Sequence, residues 1–212
     1  GFYHIWKHNV ETKEAKQITK GDFVITAFEG FDKNGNNIYY TSTEVSPLER
    51  HFYKHNLRNG KKVKITKEHG THGVTPSASG KYFIDSYSST DVARNVDIMD
   101  ANGKYVKRLH EATDPLKDYN IGTIELGELK AEDGQTLYTR MIKPYNFDEN
   151  KKYPVIIYVY GGPHAQMITD EWTAGAGIYL HYLSQEGFIV FTLDNRGSAD
   201  RGEAFEQVIH RQ

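Results

Sequence analysis

Tyr160-Gly161-Gly162-Pro163 is the segment whose residue types could take part in catalysis. This segment follows directly on an apolar run, Val155-Ile-Ile-Tyr-Val-Tyr160, which predicts a buried strand followed by a sharp turn. Acyl transfer builds negative charge on a carbonyl oxygen, and one well-placed donor stabilises that charge by about 3 kcal/mol. The Tyr160 hydroxyl could be such a donor, and the alternative is that Tyr160 packs as an ordinary strand aromatic.

A second segment, Asp194-Asn-Arg-Gly-Ser198, follows the next predicted strand. In sheets with parallel strands, ligands bind at the carboxyl ends of the strands, so both segments would lie at one edge. We expect Arg196 to brace this loop through carboxylates and carbonyls, and Ser198 to be a turn or capping residue. No Gly-x-Ser-x-Gly nucleophile elbow occurs in the 212 residues.

The elements around these segments predict a strand–helix–strand unit. Apolar runs indicate strands at 155–160 and 188–193, and helical spacing indicates helices at 171–185 and 203–211. Continuous apolar strands joined by a helix are typical of a parallel sheet that is buried on both faces. A hairpin with strands at 124–130 and 136–143 precedes this unit, with its turn at Asp133-Gly134.

The first hundred residues contain a repeat. Lys7-His-Asn9 recurs as Lys54-His-Asn56, and Ile18-Thr-Lys20 recurs as Ile65-Thr-Lys67, both 47 residues further along the chain. A third, weaker copy begins near Val96. A period of this length, built from short strands and turns, predicts β-propeller blades. The alternative is a β-sandwich whose strands match by chance.

Composition excludes several other kinds of site. The net charge of −2 gives no reason to expect nucleic acid, and the absence of cysteine excludes disulfides and thiolate chemistry. Ten histidines raise the question of a metal, but His51, His55, His69 and His72 have no matching carboxylate or cysteine pattern. We therefore predict no metal site and expect solvated histidines.

The run from Phe147 to Pro163 resembles the start of the hydrolase domain in the prolyl oligopeptidase family, and most of all its dipeptidyl peptidase IV branch. Asp194-x-Arg-Gly-Ser198 is similar to the second landmark of that family, and the upstream repeat agrees with its domain order. The resemblance implies a mixed β and α/β chain. Residues 1–118 would be the C-terminal two to three blades of a partial β-propeller, and residues 119–212 the N-terminal part of an α/β-hydrolase domain.

This resemblance also implies a function. The parent would be a serine exopeptidase that releases dipeptides after Pro or Ala, with Tyr160 in the oxyanion hole and no cofactor. Five residues would be structural at the edge of the site: Gly161, Gly162, Pro163, Asp194 and Arg196. The catalytic serine, aspartate and histidine would follow Gln212, and the acidic pair that holds a substrate's amino terminus would precede Gly1. The fragment alone would then be inactive.

The resemblance further implies peptide substrates, a homodimer of the full-length enzyme and a periplasmic or secreted bacterial location. Both ends of the chain look internal to a longer protein, and no apolar run is long enough to span a membrane. Two other functions stay open at this point. One is a propeller-based module that binds peptides or proteins, and the other is a relative that acts on acylated amino acids or esters.

Overall fold

The structure, a computed structural model, describes residues 1–210. It consists mostly of β-sheets with few helices. The fourteen strands are β1 (Trp6–His8), β2 (Ala15–Gln17), β3 (Ile25–Phe31), β4 (Asn37–Ser42), β5 (His51–Asn56), β6 (Lys62–Lys64), β7 (Thr71–Pro76), β8 (Tyr82–Ser89), β9 (Val92–Asp100), β10 (Tyr105–Glu111), β11 (Ile124–Lys130), β12 (Thr136–Ile142), β13 (Val155–Tyr158) and β14 (Ile189–Leu193). The α-helices are α1 (Ile178–Gln185) and α2 (Glu203–Glu206), and 3-10 turns occupy Trp172–Gly175 and Gln207–Ile209. Within residues 1–210 no helix is long and apolar enough to cross a membrane.

The first half forms antiparallel sheets in which consecutive strands are neighbours. Strands β3 to β6 make one four-stranded sheet, β7 to β10 make a second, and β1 pairs with β2 alone. Shifted by 47 residues, Ala15–Gln17 falls on Lys62–Lys64, so the repeat marks equivalent hairpins. This up-and-down strand order is that of propeller blades. The described residues do not close a ring.

The main core lies between the sheet β3–β6 and the sheet β7–β10. It contains the buried side chains of Tyr39, Phe52, Ile65, Val74, Phe83 and Met99. The rings of Tyr39 and Phe52 are stacked with centroids 5.6 Å apart, and Phe83 meets Phe52 edge-on at 5.2 Å. Large aromatic side chains bury much apolar area per residue, which is why a chain with so many of them can join short strands into a stable pair of sheets.

The second half forms a mixed sheet in the order β11-β12-β14-β13. Strand β12 pairs antiparallel with β11 and β14, whereas β13 and β14 are parallel, with Tyr158 opposite Thr192. Helix α1 packs on this sheet through Leu180, against Ile142 and Val190. The strand–helix–strand order is therefore confirmed, and the sheet places the segments after β13 and β14 at one edge. The prediction of a sheet buried on both faces is wrong for β13, because this strand lies at the side of the sheet and its Val155, Ile157 and Tyr158 are exposed.

The helix predicted at 171–185 is wrong in its first half. Thr173, Ala174 and Gly175 have positive φ angles of 61°, 52° and 74°, so Trp172–Gly175 is a 3-10 turn and α1 begins only at Ile178. The positive φ angles of this turn are incompatible with a regular right-handed helix. A tertiary contact accompanies them, because the Arg140 guanidinium donates to the Ala174 carbonyl at 2.5 Å.

Two other predicted elements are shorter in the structure. The strand predicted at 155–160 ends at Tyr158, because the chain turns at Gly161, whose φ is 71°. The helix predicted at 203–211 consists of α2 and the turn Gln207–Ile209, and its last residue lies outside the described part of the chain.

The boundary at residue 118 stays a prediction. It falls in the segment 112–123, between β10 and β11, where the structure has neither strand nor helix. The parts of the chain before and after this boundary nevertheless contact each other through polar groups. Asp170 donates its backbone N–H to Leu48 O at 2.8 Å, and its carboxylate accepts the N–H of Thr90 at 2.9 Å.

Candidate active site

The candidate site is formed by the two loops that follow the parallel strands β13 and β14. We name residues 159–171 the first site loop and residues 194–202 the second site loop. Strands β13 and β14 run side by side in the same direction, so both loops leave the same edge of the sheet. This edge is the ordinary position for ligands in such sheets. The structure therefore brings Tyr160 and the segment from Asp194 to Ser198 into one region.

Tyr160 lies at the start of the first site loop with 60% of its surface exposed. Its ring rests against the backbone of Gly162. A Cβ atom at Gly162 would lie 2.9 Å from Tyr160 Cε1 and 3.7 Å from Cζ. The absence of a side chain at Gly162 thus leaves room for the ring, and the left-handed φ of Gly161 turns the chain between them. An exposed phenol held beside a glycine turn is well suited to meet a ligand.

Backbone hydrogen bonds tie the two site loops together. The N–H of His164 donates to Gly197 O at 3.0 Å, and the N–H of Ala199 donates to Ala165 O at 3.3 Å. His164 has a positive φ of 62°, and its Nδ1 lies 3.3 Å from Glu206 Oε2. A displacement of one loop would therefore be transmitted to the other.

Asp194 is the buried anchor of this pair of loops. Its two carboxylate oxygens accept the N–H groups of Met167 at 2.8 Å and Ile168 at 3.2 Å. Burial raises the pKa of the Asp194 carboxyl, whereas these amides and the positive charge of Arg140 act in the opposite direction. With only 4% of its surface exposed, Asp194 holds the loops and is not placed to meet a substrate.

Arg196 contacts the β11–β12 hairpin and the start of α2. It forms an ion pair with Asp133 in the hairpin turn, donates to Ala204 O at 3.2 Å and lies over the Phe205 ring at 4.8 Å. Ser198 donates its hydroxyl to Asn195 O at 2.7 Å, within the turn. These contacts describe a braced loop, and the assignment of Arg196 and its neighbours to the edge of an active site stays a prediction.

Sequence reasoning missed Arg140. This side chain is 1% exposed in the middle of β12, where it donates through Nη1 to Met167 O at 2.8 Å and to Ala174 O, and through Nη2 to Thr192 Oγ1 at 3.2 Å. Burial lowers the pKa of its guanidinium. Arg140 and Asp194 thus hold the Met167 peptide from its two sides. The signal in the sequence was a lone arginine inside an otherwise half-buried strand pattern.

The expectation of solvated histidines is wrong for His51, His72 and His181, which are 1%, 4% and 1% exposed. The rings of His51 and His72 lie 5.1 Å apart, with His51 in the sheet β3–β6 and His72 in the sheet β7–β10. His51 contacts Glu49 at 2.8 Å, and His72 contacts Asp85 at 2.8 Å. Strand periodicity does not reveal which face will meet a neighbouring sheet. Among residues 1–210 no cluster of three His, Asp or Glu side chains could hold a metal ion.

Comparisons with known proteins agree on one relationship. The family model described as the dipeptidyl peptidase IV N-terminal region matches residues 1–94. A relative from Aspergillus flavus, named "Probable dipeptidyl peptidase 4", is 30% identical over all of this chain and 28% of its own length.

Solved structures give the same result. A Bacteroides ovatus protein provisionally assigned as a dipeptidyl aminopeptidase IV superposes with a TM-score of 0.87 at 37% identity, over 99% of this chain and 31% of its own. Porphyromonas gingivalis dipeptidyl peptidase 4 superposes with a TM-score of 0.88 at 29% identity, over 98% of this chain and 29% of its own. The chain therefore spans less than a third of the length of these relatives, and over that span it is dipeptidyl peptidase IV-like.

Proposed function

We propose that this chain belongs to a serine dipeptidyl peptidase, in which it joins the last propeller blades to the first strands of an α/β-hydrolase domain. The whole enzyme would release dipeptides after Pro or Ala from the amino terminus of peptides. Support comes from the relatives named above and from the sheet β11-β12-β14-β13 with its parallel pair. In α/β hydrolases the loop after the third strand supplies a donor to the oxyanion hole.

The position of Tyr160 is the observation that carries this proposal. Strand β13 is the third strand of its sheet in chain order, and Tyr160 begins the loop that follows it. During acyl transfer the substrate carbonyl becomes a tetrahedral oxyanion, and the Tyr160 hydroxyl would donate a hydrogen bond to that oxygen. A donor aimed at the transition state accelerates the reaction by about 10²- to 10³-fold.

In the proposed enzyme the nucleophile would come from outside these 212 residues, which contain no Gly-x-Ser-x-Gly. In the proposed enzyme a serine would attack the scissile carbonyl, and a histidine would take its proton and return it to the leaving amine. The chain by itself would supply the oxyanion donor and the loops that hold it. We therefore expect the isolated 212-residue chain to release no fluorophore from a Gly-Pro substrate above the blank.

The test uses the full natural protein that contains this chain. We would measure hydrolysis of Gly-Pro and Ala-Ala aminocoumarin substrates by the wild type and by Tyr160→Phe, which removes only the hydroxyl. The proposal expects activity in the wild type and a loss of about 10²-fold or more in kcat for the variant. An equally active Tyr160→Phe would show that the hydroxyl is not an oxyanion donor.

A protein without activity on these dipeptides would point to one of two alternatives. Labelling of one serine by a fluorophosphonate would indicate a hydrolase for esters or acylated amino acids. The absence of labelling would indicate a propeller-based binding module. The proposed enzyme is also expected to be a homodimer and, in a bacterium, to be exported. Light scattering and cell fractionation of the natural protein test these two points.

A further inference from the structure

Arg50 connects the first half of the chain to both site loops. It precedes β5, and its backbone is fixed by β7, because its N–H donates to Gly70 O at 3.2 Å and its carbonyl accepts the N–H of His72 at 3.0 Å. Its side chain is 14% exposed and reaches out of the antiparallel sheets towards the candidate site.

The guanidinium of Arg50 donates to two backbone carbonyls through one nitrogen and to two side chains through the other. Nη1 donates to the carbonyls of Pro47 and Glu49, both at 2.9 Å. Nη2 donates to Gln166 Oε1 and to Asp200 Oδ2, both at 2.5 Å. Gln166 also returns a hydrogen bond from Nε2 to Pro47 O at 2.8 Å. A planar guanidinium fixed on one side by carbonyls presents its other donors in a set direction.

These two partners belong to different site loops. Gln166 lies in the first site loop, between Tyr160 and the Met167 peptide that Asp194 and Arg140 hold. Asp200 lies in the second site loop, where it has a positive φ of 63° and donates its N–H to Glu206 Oε1 at 3.1 Å. One arginine therefore fixes the spacing between the loops from a different sheet.

We propose that Arg50 is a positioning residue for the candidate site: by holding Gln166 and Asp200 together it sets where the first site loop places the Tyr160 hydroxyl. This inference rests on the proposed peptidase function. Arg50 does not contact the reacting atoms. Its loss would act through the loops, and it would change the placement of the oxyanion donor more than the affinity for the ground-state substrate.

The experiment compares Arg50→Ala with Arg58→Ala in the full natural protein. Arg58 is an exposed arginine in the turn between β5 and β6 and serves as the matched control. A misplacement of 1 Å costs about 10²-fold in rate, so a shift of about half an ångström predicts a loss of about 10-fold in kcat on Gly-Pro aminocoumarin. We expect KM to change less than about 3-fold, because interactions made only in the transition state affect kcat. Arg58→Ala should match the wild type.

A double mutant separates positioning from a general structural effect. If Arg50 acts through Tyr160, then adding Arg50→Ala to Tyr160→Phe should reduce kcat little further, because the hydroxyl that it places is already gone. Arg50→Lys keeps the positive charge, but its single ammonium cannot serve both the carbonyls of Pro47 and Glu49 and the two loop partners. Its kcat should therefore lie between those of the wild type and Arg50→Ala. An unchanged kcat in Arg50→Ala, or fully additive losses in the double mutant, overturns the inference.

Hydrogen exchange distinguishes failure of this inference from failure of the proposed function. Peptides covering residues 160–170 and 196–202 should exchange faster in Arg50→Ala and as in the wild type in Arg58→Ala, because the amides of Met167, Ile168 and Ala199 are bonded within these loops. If the wild type cleaves no dipeptide, the peptidase proposal fails, and unchanged exchange would then overturn the role of Arg50 as well. If Arg50→Ala does not fold, Arg50→Lys and Gln166→Ala are judged by the same criteria.

Discussion

Gly162→Ala should impair catalysis while leaving the fold almost unchanged. The new Cβ would lie 2.9 Å from Tyr160 Cε1, whereas ordinary contact begins at 3.4 Å, so the ring must move by about 0.5 Å. Because Tyr160 is 60% exposed, the ring can move into solvent, and we expect the free energy of unfolding to change by less than about 0.5 kcal/mol. The rate depends steeply on placement, at about 10²-fold per ångström, which predicts a loss of about 10-fold in kcat.

The assay is steady-state hydrolysis of Gly-Pro aminocoumarin by the full natural protein, with urea unfolding of the same preparations. Gly161→Ala is the contrasting variant. A Cβ there meets nothing within 4 Å, but the residue has a φ of 71°, so the cost is backbone strain of about 1–2 kcal/mol. Combining Gly162→Ala with Tyr160→Phe should add little to the loss of Tyr160→Phe alone. Wild-type kcat in Gly162→Ala would refute the argument that the ring's position matters.

Three further predictions concern stability. Lys13 has a φ of 63° at the repeat position where Gly60 has a φ of 71°, and this backbone conformation is strained for any residue other than glycine. Lys13→Gly should therefore raise the free energy of unfolding, measured by urea titration, by about 0.5–1 kcal/mol. A decrease would contradict the strain argument. Arg140→Met leaves the buried carbonyls of Met167 and Ala174 without their donor, so it should lower the free energy of unfolding by about 3 kcal/mol. The exposed control Arg94→Met should change this free energy by no more than about 0.5 kcal/mol. Equal effects of the two substitutions would rule out this bracing role. Burial lowers the pKa of His51 below its usual 6.5, so the unfolded state binds more protons and stability is lost as the pH falls through about 6.5. The urea midpoint should therefore drop more between about pH 8 and pH 5.5 in the wild type than in His51→Gln. Parallel drops in the two proteins would show that other groups are responsible.

The elements defined by local signals could be predicted closely. The hairpin strand at 124–130 matches β11 residue for residue, because Asp133-Gly134 fixes the turn and Gly134 has the required φ of 79°. The 47-residue repeat and the parallel pair β13–β14 were also predictable, since repeated turn motifs and uninterrupted apolar strands depend only on nearby residues.

What the sequence did not reveal depends on residues far apart in the chain. The break before α1 involves Arg140 and Ala174, 34 residues apart, so helical periodicity alone could not show it. The contacts of Arg50 with Gln166 and Asp200 span 116 and 150 residues. The burial of His51 and His72 follows from the packing of one four-stranded sheet on the next. In each case a polar side chain contacts an element far away in the chain, and periodicity within one strand carries no information about that contact.

The sheet order β11-β12-β14-β13 also constrains the route by which the chain can fold. Strand β13 is synthesised before β14, yet β14 is its only neighbour among the described strands. On the ribosome, Val155–Tyr158 must therefore wait, unpaired and apolar, until Leu193 has left the exit tunnel. Exposed apolar strands in that state are prone to misassembly. A nascent-chain chaperone would therefore be most useful while the ribosome translates the α1 segment, because β13 is unpaired during that time. Slow codons in the α1 segment would lengthen the time for which β13 stays unpaired.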